Sequence, residues 1–105
     1  MKNLEKIQKI LEAHKSEIED KYKVHEIGVF GSYARGKTTK KSDLDVLVTF
    51  KAPIGMFKFL ELEEYLQKLL KIKIDLVSKK ALKPRIGEHI LQEVVMIWKE
   101  ITGII

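Results

Sequence analysis

The chain has no cysteine, so disulfides, thiolate catalysis and cysteine-based zinc sites are excluded together. It has no apolar run near the ~20 residues that a membrane-spanning helix needs. It shows no internal repeat and no low-complexity block. The opening Met1-Lys2-Asn3-Leu4-Glu5 turns acidic and amphipathic at once, which is unlike a secretory signal, and a cytoplasmic protein is expected. Arginine is scarce, 2 against 18 lysines. Aspartate is scarce too, 4 against 11 glutamates. Three of those four, Asp43, Asp45 and Asp75, lie in or beside apolar strand patterns, where aspartate is normally depleted.

What is present is enough for one small domain over residues 1–105, with a hydrophobic share of 45% to form its core. The net charge of +5 is spread along the chain. It serves solubility and would also attract ATP, nucleic acid or an acidic partner, so charge does not choose among them. The lysine-, glutamate- and isoleucine-rich mix hints at a thermophile. His14, His25 and His89 are scattered without zinc-ligand spacing and read as surface or boundary residues.

Residues 3–20 carry Leu4, Ile7, Ile10, Leu11 and Ile18 at helical spacing and predict one amphipathic helix. A short strand follows at 25–30. Gly31-Ser32 ends it, and a turn or two of helix runs through Tyr33-Ala34-Arg35 until Gly36. Residues 43–50 form the clearest strand, 56–70 a second amphipathic helix and 72–77 a third strand. Pro84 opens a helix to about Glu93, since proline suits a first helical turn. Residues 94–98 fit strand or helix, and their β-branched start favours a final strand. The alternation predicts an α/β (α+β) domain, a small mixed sheet of three to four strands flanked by helices.

At Gly31-Ser32 a strand ends, the chain turns, and a helix starts with backbone N–H groups that lack intrahelical partners. Such a turn is suited to an anion. The plainer alternative is an ordinary turn in which Ser32 caps the helix. Asp43 and Asp45, two apart on a strand, project from one face. Two carboxylates there repel unless solvent or a cation compensates them, and Mg²⁺ takes such oxygen ligands while keeping room for substrate phosphates. Asp75 joins them if its strand neighbours 43–50, about 4.8 Å away. Three carboxylates beside a phosphate turn suit two-metal phosphoryl chemistry, with Asp75 best placed to accept a proton. One competing motif is present. Residues 31–38, Gly-Ser-Tyr-Ala-Arg-Gly-Lys-Thr, match the P-loop pattern letter for letter. A P-loop needs a substantial helix after its Lys-Thr, and only four residues separate Thr38 from Asp43.

Taken together, Gly31-Ser32-Tyr33-Ala34-Arg35-Gly36, Ser42-Asp43-Leu44-Asp45 and Ile74-Asp75-Leu76-Val77 resemble the minimal nucleotidyltransferases of the DNA polymerase β-like superfamily over nearly the whole chain. The resemblance implies the polymerase β-like fold, with the family's GS-x10-DxD motif on Gly31, Ser32, Asp43 and Asp45 and its third carboxylate on Asp75. It implies Mg²⁺, in two sites, held by Asp43, Asp45 and Asp75, and ATP as substrate. Arg35 and Ser42 are candidates for the nucleotide as well. It further implies an antitoxin paired with a HEPN-domain ribonuclease toxin, which transfers AMP to a toxin tyrosine and blocks the RNase. Two other functions stay open: a binding module that neutralises a partner by contact alone, and transfer to a small molecule or an RNA end. No aromatic stacking platform is visible for nucleic acid. Tyr33 suits either a base or the sheet, and Ile97-Trp98, Ile101 and Ile104-Ile105 either complete the core or face a partner.

Overall fold

Apolar side chains from alternate strand positions and from single helix faces meet on one side of a four-stranded sheet. The computed structural model describes residues 3–39 and 41–98. Its elements are α1 (Leu4–Ala13), α2 (Lys15–Tyr22), β1 (Val24–Phe30), α3 (Ser32–Arg35), β2 (Leu44–Phe50), α4 (Gly55–Leu70), β3 (Ile74–Ser78), a 3₁₀ turn (Lys79–Ala81), α5 (Pro84–Glu93) and β4 (Val95–Trp98). The sheet order is β3-β2-β1-β4. The β2–β3 pair is parallel and joined through α4, as a parallel pair requires a crossover, while β1 is antiparallel to both β2 and β4. This is the mixed, helix-flanked sheet that the alternation predicts.

One face of the sheet is closed. Leu44, Val46 and Val48 of β2, Ile27 and Val29 of β1, and Ile74 and Leu76 of β3 pack against Ile7, Leu11, Ile18 and Tyr22 of the first two helices and Leu62, Leu66 and Leu70 of α4. Ile97 and Trp98 join this core, so they complete it, and Ile101, Ile104 and Ile105 lie outside the described residues. The same alternation turns Asp45, Leu47 and Thr49 of β2 and Asp75 and Val77 of β3 to the opposite face. That face is only partly covered, with Asp75 exposed and Asp45, Thr49 and Val77 half-buried.

Edge strand β3 is held from outside by α4. The Ile74 and Leu76 N–H groups, which point away from β2, donate to Gln67 Oε1 and Glu63 Oε2, each at 3.1 Å. Satisfying these donors blunts the edge and fixes the height of Asp75 between them.

Three boundaries differ from expectation. The helix at 3–20 is two helices, broken at His14, whose ring Nδ1 donates to the Ile10 carbonyl at 2.9 Å while its N–H bonds back to Leu11. Asn3 caps the first of them by accepting the Lys6 N–H at 3.0 Å. The third strand starts at Ile74, after the left-handed Lys71, and the central strand starts at Leu44, which leaves Asp43 just outside it.

Leu66 is fully buried and Phe57 is 90% exposed. Leu66→Ala is expected to cost about 2–5 kcal/mol in urea unfolding, and Phe57→Ser within about 0.5 kcal/mol. Equal losses in the two variants would show that α4 packs by another face.

Candidate active site

The open face carries the acidic residues because the parallel register pairs Asp45 with Asp75. Both side chains then leave the sheet on the same side, one strand spacing apart. Asp45 is half-buried and Asp75 is exposed. The Asp45 carboxyl is pushed up to about 6, first by burial, then by the charge of Asp75 and a hydrogen bond shared with it, then by Asp43, while Arg35 opposes the rise. Asp43 thus contributes its charge from the loop. Among the described residues no three His, Asp or Glu side chains stand together at metal-holding distance. What the fold preforms is the Asp45–Asp75 pair. Its chemistry fits a hard divalent cation: oxygen donors only, with like charges that a cation would relieve.

Gly31 occupies the neighbouring turn with φ +73° and ψ −151°, a conformation open to glycine alone. Its missing side chain matters equally, because a Cβ at this position would overlap Asp45 Oδ2. The turn and the carboxylate therefore share one space. Gly31 also takes the capping position of α3, so Ser32 begins the helix instead of capping it, and its hydroxyl is left for another use. Tyr33 is buried in the core, which removes it as a base-stacking residue. Gly36, left-handed at φ +72°, ends α3 before Lys37-Thr38. The single helix turn thus lies inside the P-loop-like motif, and among the described residues no helix stands between Thr38 and β2, which is unlike a P-loop.

The loop that delivers Asp43 is held by Ser42. Its Oγ accepts the Thr39 N–H at 2.8 Å, and its own N–H donates to the Thr39 carbonyl at 3.1 Å. The hydroxyl is thereby used within the loop. Glu93, at the end of α5, was not a sequence candidate. Its Oε1 accepts the Gly31 N–H at 3.0 Å and its Oε2 accepts Arg35 Nη1 at 2.9 Å. Gly31 and Glu93 come together only because β4, which follows Glu93, pairs with β1, which precedes Gly31. The one hint in the sequence is position, a carboxylate at the last turn of a helix, where the dipole disfavours it.

Two outcomes follow from this geometry. Asp45 keeps a proton in the folded state, up to about pH 6, that the unfolded chain loses in the ordinary carboxylate range. Stability therefore falls as pH rises through that window and stays lower above it. In metal-free protein at pH 8, Asp45→Asn is expected to melt about 4–8 °C above the wild type, the scale of one kcal/mol in a domain this size, with the solvent contact of a half-buried group already discounted. The gap should close as the pH is lowered to 4, and a gap independent of pH would contradict the coupling. Gly31→Ala is expected to lower the melting temperature and to disturb Asp45 together, which a shift of the pH midpoint in the same melting series would reveal.

The nucleotidyltransferase domain model matches residues 11–102. The protein adenylyltransferase MntA of Thermococcus cleftensis is 50% identical over 97 residues, 92% of this chain and 98% of the relative. A solved chain described as a minimal nucleotidyltransferase superposes with a TM-score of 0.77 at 34% identity, over 90% of this chain and 95% of its own. A complex of a tri-AMPylated Shewanella oneidensis HEPN toxin with its MNT antitoxin gives a TM-score of 0.65 at 20% identity, over 89% of this chain and 73% of its own, and at that identity it speaks to fold alone. With a family model over most of its length and a relative half identical from end to end, this chain belongs to the nucleotidyltransferase domain family and is an enzyme of that class.

Proposed function

We propose that this nucleotidyltransferase is a cytoplasmic antitoxin that transfers AMP from ATP to a tyrosine of a cognate HEPN ribonuclease toxin and so silences it. The observation that carries the chemistry is the Asp45–Asp75 register pair, with Asp43 adding its charge, packed against the Gly31 turn. The protein acceptor is supported by the half-identical Thermococcus cleftensis relative, a protein adenylyltransferase. No helix among the described residues is long and apolar enough to cross a membrane.

In this reading Asp43, Asp45 and Asp75 hold Mg²⁺, two ions in all. Bound there, the metal supplies neutralisation of the triphosphate and a lowered pKa for the attacking hydroxyl. The Gly31-Ser32 turn and Arg35 take the phosphates, with Ser42 acting by shaping the loop that presents Asp43. The toxin tyrosine Oη forms a bond to the α-phosphorus, the bond from that phosphorus to the bridging oxygen breaks, and diphosphate leaves with the electron pair. The tyrosine proton passes to the Asp75 carboxylate, the exposed member of the pair. A domain this small has little surface left for an acceptor pocket, and its carboxylates lie on an open sheet face, so an acceptor that brings its own shape suits it.

Purified protein with Mg²⁺ and ATP labelled in the α-phosphate is expected to label a cognate HEPN toxin. Asp43→Ala, Asp45→Asn and Asp75→Asn should each reduce labelling on the order of a hundredfold or more, the scale on which loss of a charge-stabilising group acts. Undiminished labelling by these variants sinks the catalytic assignment. Neutralisation of the toxin by unlabelling variants would establish a contact-only antitoxin instead. Label on a small molecule or an RNA end in the absence of toxin would replace the acceptor.

A further inference from the structure

Glu93 belongs to none of the motifs that carry the chemistry, yet it touches two residues assigned to the phosphates. One carboxylate oxygen binds the Gly31 N–H and the other binds Arg35 Nη1. A carboxylate so close to a triphosphate site is unfavourable by charge alone, so its presence needs a compensating role. Arg35 supplies the compensation. It is one of only two arginines in the chain, and it also lies near enough to Asp45 to oppose the rise of that carboxyl.

We infer that Glu93 is a positioning residue for the nucleotide: it fixes the Gly31 turn and the Arg35 guanidinium in the arrangement that meets the phosphates. A guanidinium has five N–H donors in a planar fork. Glu93 engages it through Nη1, and the donors it does not engage remain for phosphate oxygens. An unanchored arginine loses rotamer freedom when it binds a ligand, whereas one already held loses less. The Gly31 N–H is likewise satisfied from the α5 side, which leaves the opposite side of the turn to Asp45. Glu93 acts through these two groups and not on the reacting atoms. Its loss should therefore appear in ATP affinity more than in turnover. The inference rests on the proposal that this site takes ATP.

The test is equilibrium dialysis of ATP with Mg²⁺ against the full chain, alongside KM and kcat for toxin labelling and melting curves without nucleotide. Glu93→Ala is expected to weaken ATP binding about tenfold, the scale of one charge-assisted hydrogen bond, with kcat changed less than about threefold. Glu93→Gln keeps an oxygen acceptor without the charge, and should recover part of the loss while melting like the wild type. In the Arg35→Ala background, Glu93→Ala should add less than about threefold, because the two act as a pair. The inference is overturned if Glu93→Ala binds ATP within twofold of wild type, if its loss falls on kcat with KM unchanged, or if the losses multiply in the double variant. Should Glu93→Ala fail to fold, full wild-type affinity in Glu93→Gln overturns it equally. A wild-type chain that binds no ATP removes the proposed function as well, whereas a wild type that binds and a Glu93→Ala variant that binds equally remove only the role of Glu93.

Discussion

Parallel pairing of β2 with β3 brings Asp45 and Asp75 side by side, and much of the molecule is arranged around that juxtaposition. Burial and then the neighbouring charge of Asp75 push the Asp45 carboxyl up. Arg35 opposes the rise at Asp45 and is itself engaged by Glu93. The arrangement is held by what lies behind it. On the closed face Leu44, Val46, Ile74 and Leu76 alternate with the acidic positions and pack under α4. A one-residue slip of either strand would exchange carboxylates for leucines and is excluded by that core.

The same coupling links stability to chemistry. The fold disfavours the ionised form of Asp45 relative to the ordinary carboxylate range, and the packed apolar face of the sheet offsets that cost. Gln67 and Glu63 add to this by binding the free edge of β3, which keeps the strand carrying Asp75 from fraying. Strain at an active site offset by well-packed surroundings is a common arrangement in enzymes.

Gly31 shows how closely the parts interlock. Its backbone conformation, the room it leaves for Asp45 and the hydrogen bond from its N–H to Glu93 all converge on one residue. Through Glu93 the turn is tied to the α5–β4 junction, so the fourth strand helps to hold the site without contributing a reacting group. Asp75 is exposed and Asp45 half-buried on the less covered face of the sheet, which leaves the pair accessible from solvent.

Much of this was legible in the residue order because its signals are local. Helical spacing marked α4, alternation marked β2, proline marked the start of α5, and Gly31-Ser32 followed by Asp43 and Asp45 marked the candidate site within fifteen residues. The missing helix after Thr38 was equally readable, and it disposed of the P-loop. Other features were decided by tertiary structure. The break at His14 falls in the gap of the apolar pattern between Leu11 and Ile18, and a bond from the His14 ring to the Ile10 carbonyl accompanies it. Tyr33 fits a base or a core by composition, and only packing placed it in the core. Asp75 required knowledge of which strand lies beside β2. Glu93 required β4 to pair with β1, joining residues 62 positions apart. Local spacing determines which side chains share a face; only strand pairing, selected by burial of the whole core, determines which faces meet.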